Sequence, residues 1–138
     1  IDATPVVKVS SENAGGKLRV WHDTYEASSL ASGSDITVAR IPAGATIHDV
    51  IIKADALGGS VTLIAGDSGD DNRFIAAVGT WNVDGQSQSM QAGSSTGAPI
   101  PAVTGLGYRV TSETDVLITT GGASASGTIY SWVIYSTE

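Results

Sequence analysis

Short apolar runs separated by turn residues occupy most of the chain, and several of them carry the period of two that marks a half-buried strand. Leu18 and Val20 share one face of a strand over Lys17 to Tyr25, with Lys17, Arg19 and Asp23 on the other. Ile36 and Val38 point inward from a strand over Asp35 to Ile41. Val61, Leu63 and Ala65 repeat the spacing, and further strands are predicted over Tyr108 to Val110, Asp115 to Thr120 and Thr128 to Tyr135. Ala27 to Gly33 and Gly66 to Asn72 read as loops. Gly58-Gly59 forms a tight turn, which predicts a β-hairpin joining a long strand over Ala45 to Leu57 to the return strand from Val61 to Ala65. Arg73 to Val78 fits a short strand or one helical turn. Trp81 to Ile100 is a long polar stretch rich in Gly, Ser and Gln, the pattern of a functional or mobile loop.

Seven or eight short strands and no helix of useful length predict an all-β chain. The expected architecture is a single β-sandwich of jelly-roll type over residues 17–138. Residues 1–16 precede it as an extended N-terminal arm and a glycine turn: Pro5, the apolar Val6, Val7 and Val9, then Ser10 to Gly16.

Two segments break the simple alternation. In Ile41 to Lys53, Pro42 fixes its own φ and Gly44 permits a reversal, so a turn feeds a strand. On that strand Ile47 and Ile51 point one way and Val50 and Ile52 the other. On the last strand Tyr130, Trp132 and Ile134 oppose Ile129, Val133 and Tyr135. A strand that is apolar on both faces needs cover on both. The second cover comes either from the protein's own 81–100 loop or from a partner, for which aromatic enrichment is expected. Tyr130 and Trp132 are therefore candidate partner contacts.

Composition narrows the function. At 138 residues the chain is long enough for one domain with its own core. It has no cysteine, which removes disulfides and thiolate metal sites. The net charge of −7 is dispersed and argues against nucleic acid and against anionic membrane surfaces. No apolar run is long enough to span a bilayer as a helix, and no basic-then-apolar signal segment opens the chain. Residue 1 is Ile and the only methionine is Met90, so a translation start is not expected at residue 1.

The search for chemistry yields little. Gly66-Asp67-Ser68-Gly69-Asp70 resembles the nucleophile segment of chymotrypsin-like serine proteases but departs at Asp70, where that family has glycine. A triad also needs a histidine base, and neither His22 nor His48 sits in the family's histidine motif. Asp67, Asp70 and Asp71, with Asn72, cluster hard oxygen ligands suited to Ca²⁺, although the spacing is not that of an EF-hand and the same residues are ordinary turn formers. His48 and Asp49 are neighbours on a strand and are expected on opposite faces. Two histidines make a zinc site improbable, and there is no Walker-type phosphate loop. No catalytic residue and no cofactor is assigned. Trp21, Trp81 and Trp132 could supply a sugar-stacking platform, with Trp81 the best candidate for exposure. A carbohydrate-binding jelly-roll module is thus the rival reading.

From Ile41 onward the order of motifs is similar to that of small β-sandwich structural proteins of tailed bacteriophage heads, including capsid decoration or cement proteins. The motifs are Ile41-Pro42-Ala43-Gly44-Ala45, Asp49 to Lys53, Val61 to Asp67, Asp71 to Ala77, Tyr108 to Thr111, Thr114 to Ile118, Gly121-Gly122-Ala123 and Gly127-Thr128-Ile129. They cover roughly the last two-thirds of the chain; the arm and the 81–100 segment lie outside the likeness. The resemblance implies a non-enzymatic virion protein on the outer surface of the capsid, bound to the major capsid protein and bridging neighbouring subunits. It also implies a homo-oligomer, a trimer being favoured by the three-fold sites of capsid lattices. A minor head, tail or fibre component is the alternative. The arm residues Ile1, Pro5, Val6, Val7 and Val9 are expected to pair with a neighbour, since they have no clear place in the sandwich.

Overall fold

The structure is a computed structural model that describes residues 17–76, 81–82, 84–90 and 107–137. Eight strands occur among them: β1 (Lys17–Leu30), β2 (Asp35–Ile41), β3 (Thr46–Ala54), β4 (Thr62–Gly66), β5 (Gln86–Ser89), β6 (Tyr108–Arg109), β7 (Thr114–Gly121) and β8 (Ala125–Thr137). No helix is present among the described residues. The larger sheet runs β1-β8-β3-β5, with β6 also paired to β3; the smaller runs β2-β7-β4. All strand pairs are antiparallel. The fold class is the expected one, a β-sandwich. The arm residues Ile1, Pro5, Val6, Val7 and Val9 lie outside the described residues.

One apolar core joins the sheets. Val50 and Ile52 of β3 and Ile129, Val133 and Tyr135 of β8 pack with Ile36, Val38 and Ile41 of β2, Leu63 of β4, and Val116 and Ile118 of β7. Burying side chains of this size is worth about 1.5–3 kcal/mol each. Ile36 and Val38 face inward as their spacing predicts, and β7 and β8 keep a regular period of two.

Bulges change the faces elsewhere. In β3, Ile47 pairs with Tyr135 but Asp49 pairs with Ile134, so His48 is an extra residue. An inserted residue resets the alternation. Ile47 therefore joins Val50, Ile52 and Ala54 in the core, while Ile51 stays half-buried on the other side. Strict alternation places Ile47 with Ile51, and the bulge overturns that expectation. The same shift undoes the expected separation of His48 and Asp49. His48 Nε2 lies 2.8 Å from Ser136 Oγ and Asp49 pairs with Ile134, and both partners belong to one row of β8. A second shift in β2, between Thr37 and Ala39, buries Val38 and Ala39 together.

The predicted β-hairpin is absent. β3 and β4 lie in different sheets, so the segment through Gly58-Gly59 crosses the sandwich instead of closing a hairpin. The undecided stretch from Arg73 supplies one isolated bridge, Ile75 to Ala65, with Phe74 and Ile75 buried; residues 77–80 lie outside the described set. In the polar stretch that reads as a loop, Gln86–Ser89 forms β5 against β3. The remainder at 83 and 91–100 is outside the described residues.

β1 departs most from expectation. It runs on to Leu30 through what reads as a loop, and it is not half-buried: Lys17 to Glu26 is exposed throughout, and burial begins at Ala27. The reason is its place in the sandwich. Among the described residues β1 is the edge of the larger sheet, while the smaller sheet ends at β2.

Candidate docking face

The protease-like segment Gly66 to Asp70 is a structural turn. Asp67 is 5% exposed. Its Oδ1 accepts the N–H groups of Gly69 at 2.9 Å and Asp70 at 3.0 Å. Arg73 Nε donates to Oδ2 at 2.7 Å, and the guanidinium lies 4.3 Å over the Tyr108 ring. The hydrogen bond to Asp67 raises the Arg73 pKa above its ordinary value. Both carboxylate oxygens of Asp67 are thus occupied by donors, and Asp67, Asp70 and Asp71 do not converge as a ligand cluster among the described residues. Ser68 has no histidine base, because His22 and His48 are engaged by Ser131 and Ser136 on the larger sheet. Asp67→Ala is expected to lower stability by about 2 kcal/mol, since it removes the acceptor that the Gly69 and Asp70 N–H groups and Arg73 share; urea unfolding reads the shift.

Trp81 is not a platform for a ligand. It is 2% exposed, and its backbone ties Val61 to Leu57 by hydrogen bonds of 3.0 and 2.8 Å. The expectation of exposure fails because Trp81 itself is part of the apolar core. Trp21 and Trp132 occupy opposite faces of the larger sheet, so the three tryptophans form no common surface.

The register of the larger sheet assembles a different site. Leu18, Val20, His22, Thr24 and Glu26 of β1 stand beside Ser136, Ile134, Trp132, Tyr130 and Thr128 of β8. The β8 residues in turn stand beside Asp49, Ile51 and Lys53 of β3. These residues alternate with core positions, so they form the outer face. Its centre is aromatic and aliphatic. The rings of His22 and Trp132 stack at 4.9 Å and 20°, and Tyr130 and Trp132 at 6.5 Å and 22°. Leu18 and Val20 extend the patch at 64% and 55% exposure. The rim is polar: Thr128 Oγ1 donates to Glu26 at 2.6 Å, and His48 bonds Ser136. His22 Nδ1 lies 3.1 Å from the Ser131 carbonyl, which only accepts, so Nδ1 carries the proton.

Tyr130 and Trp132 therefore lie at the centre of this face. Sequence reasoning missed Leu18 and Val20, because regular alternation looks the same on a covered strand and on one that overhangs. It also missed Tyr25, which lies with Trp21 on the inward side of β1, the two exposed at 36% and 42%. An open cleft of about 360 Å³ separates Trp21 and Asp23 from Val38, Ala39 and Arg40 of β2. Arg40 is held there by Asp115 at 3.0 Å.

Fold and face together define an all-β sandwich with an apolar outer face beside β1, the edge strand among the described residues. Its fold is similar to chains of three phage capsids. One belongs to the capsid asymmetric unit of cyanophage Pam1, with a TM-score of 0.69 and 24% identity over 89% of this chain and 86% of that one. One belongs to the capsid of Ralstonia phage GP4, with a TM-score of 0.59 and 19% identity over 89% and 84%. One belongs to the acidic stable capsid structure of Helicobacter pylori bacteriophage KHP30, with a TM-score of 0.59 and 14% identity over 86% of each chain. No family model and no curated protein matches the chain. At these identities the likeness is one of fold.

Proposed function

We propose that this chain is a non-enzymatic structural protein of a bacteriophage virion, bound to the outer surface of the assembled capsid and bridging neighbouring capsid subunits. The observation that carries the reading is the apolar outer face of the larger sheet, in a fold shared with chains of phage capsids. The nested strand pairs β1–β8, β2–β7 and β3–β6 support a jelly roll as the topology.

The driving force is burial of Leu18, Val20, Ile51, Tyr130, Trp132 and Ile134 against a capsid subunit. Apolar area removed from water contributes about 25 cal/mol per Å², and a specific interface needs roughly 1,000 Å². A patch of this extent gives modest affinity alone. Copies that each hold two capsid subunits add avidity across the lattice. A trimer would rest on capsid symmetry alone, whereas the edge of β1 favours two-fold association.

The test is co-sedimentation of the purified chain with capsid shells assembled without it. Binding is expected to saturate at a fixed ratio to the major capsid protein and to raise the temperature at which the shells rupture. Failure to sediment with shells overturns the reading. Removing residues 1–16 is expected to weaken binding about tenfold, a loss of about 1.4 kcal/mol, with the unfolding midpoint of the sandwich unchanged. Full occupancy after that truncation excludes the arm as a contact.

A further inference from the structure

The open edge of β1 carries a pattern of its own. In an antiparallel ladder, residues alternate between bonding the neighbouring strand and turning their main-chain groups away from it. Asp55 N–H donates to the Thr128 carbonyl at 3.0 Å, so Thr128 turns toward β3. Its partner across the β1–β8 ladder is Glu26. The even-numbered residues of β1 therefore turn their N–H and C=O groups to the open edge. Thr24 agrees: its N–H donates to the Asp23 side chain at 2.9 Å. Among the described residues, Leu18, Val20, His22, Thr24 and Glu26 thus offer a row of main-chain groups along a long exposed strand. Such an edge is a template for another strand.

The side chains say which strand fits. Although the chain carries a net charge of −7, β1 is balanced and polarised. Lys17 and Arg19 lie toward its start, and Asp23 and Glu26 lie further along. Antiparallel pairing of β1 with β1 of a second copy brings opposite signs together. Centred on Trp21, it sets Arg19 of each copy across from Asp23 of the other, and Trp21 against Trp21. Val20 and His22 then exchange the edge hydrogen bonds. Thr24 N–H leaves the Asp23 carboxylate for the Leu18 carbonyl, which frees Asp23 to meet Arg19. The exposed Trp21 and Tyr25 gain cover on the inward side.

We infer that a second copy of this chain pairs with the first through β1, about a two-fold axis normal to the sheet at Trp21. The two larger sheets become one. Both outer faces then lie on the same side, so the pair presents two apolar patches to one surface. This pairing is a property of the chain in solution, and it stands or falls separately from capsid binding.

Sedimentation equilibrium of the full chain tests it with charge reversals. The wild type is expected to be a dimer at micromolar concentration. Arg19→Asp alone and Asp23→Arg alone each place like charges opposite one another twice, and each is expected to raise the dimer dissociation constant about tenfold or more. The double reversal, Arg19→Asp with Asp23→Arg, restores both pairs and the dimer. Asp23→Arg makes the chain less acidic, so a general charge effect would strengthen association where the pairing weakens it. Val20→Pro is a second probe: it removes an edge donor but no bond to β8, and is also expected to give monomer. Unfolding midpoints are followed for every variant. A monomeric or trimeric wild type overturns the inference, as does a double reversal that stays monomeric. So does a dimer that survives the single reversals and is lost when residues 1–16 are removed, because the arm would then be the occupant of the edge.

Discussion

Trp132→Ala is expected to weaken binding to capsid shells about 30-fold, the effect of losing about 2 kcal/mol from a central aromatic anchor. Trp132 holds the middle of the outer face. His22 stacks on it at 4.9 Å, Tyr130 lies at 6.5 Å, and Ile51 stands beside it on β3. An aromatic side chain ringed by others that exclude water is where binding energy concentrates. The core behind it is carried by Ile129 and Val133, which point the other way, so the sandwich is expected to stay folded. Trp132→Phe keeps a ring in the patch and should recover most of the affinity. Trp21→Ala is the internal contrast. Trp21 lies on the opposite face of the larger sheet, so its loss should spare the contact of a single copy with the shell. Isothermal titration or quantitative co-sedimentation distinguishes these outcomes. Equal binding by wild type and Trp132→Ala would remove the outer face from the interface.

A large stability effect is expected at Gly122. It has φ +81° in the turn between β7 and β8. An added Cβ there would collide with the Ser60 carbonyl oxygen and come within 3.0 Å of the Ser60 carbonyl carbon. Two turns pass each other at this point, the one after β7 and the one at Gly58–Val61, and both are main chain. Neither can step aside as a side-chain tip would. A left-handed conformation costs an alanine about 1–2 kcal/mol, and overpacking adds about 1–3 kcal/mol. Because a domain of this kind has a net stability of roughly 5–15 kcal/mol, Gly122→Ala should sharply reduce soluble yield and lower the urea midpoint. Gly33→Ala isolates the conformational cost, since Gly33 has φ +87° and nothing within 4 Å of an added Cβ. If Gly122→Ala were no worse than Gly33→Ala, the close approach of the two turns would be wrong.

Much of the fold was legible from residue spacing. Ile36 and Val38 announced a face that is buried, and the last strand announced that Ile129, Val133 and Tyr135 share a face opposite Tyr130, Trp132 and Ile134. What alternation does not carry is the position of a strand within its sheet. β1 alternates like a covered strand, yet its overhang past the smaller sheet leaves Leu18 and Val20 in solvent. Bulges are equally silent: nothing about His48 announces an extra residue, yet that residue decides which isoleucines of β3 share the core. Gln86–Ser89 pairs through its main chain, with no apolar side chain to mark it. Gly58-Gly59 announced a reversal but not whether the returning strand would rejoin the same sheet. At the candidate site, Tyr130 and Trp132 were visible as aromatics on the second face of a two-faced strand. The patch they belong to required the register of β1, β8 and β3. Trp81 shows the opposite failure, because polar neighbours in sequence did not keep its ring out of the core.

The most direct measurement is a cryo-electron microscopy reconstruction of the intact virion that carries this chain. The sandwich is predicted on the outside of the shell, spanning the seam between adjacent capsid subunits, with the Val20–Trp132–Ile51 face turned toward the capsid. A particle without the sandwich, or one in which that face looks into solvent, contradicts the proposed function.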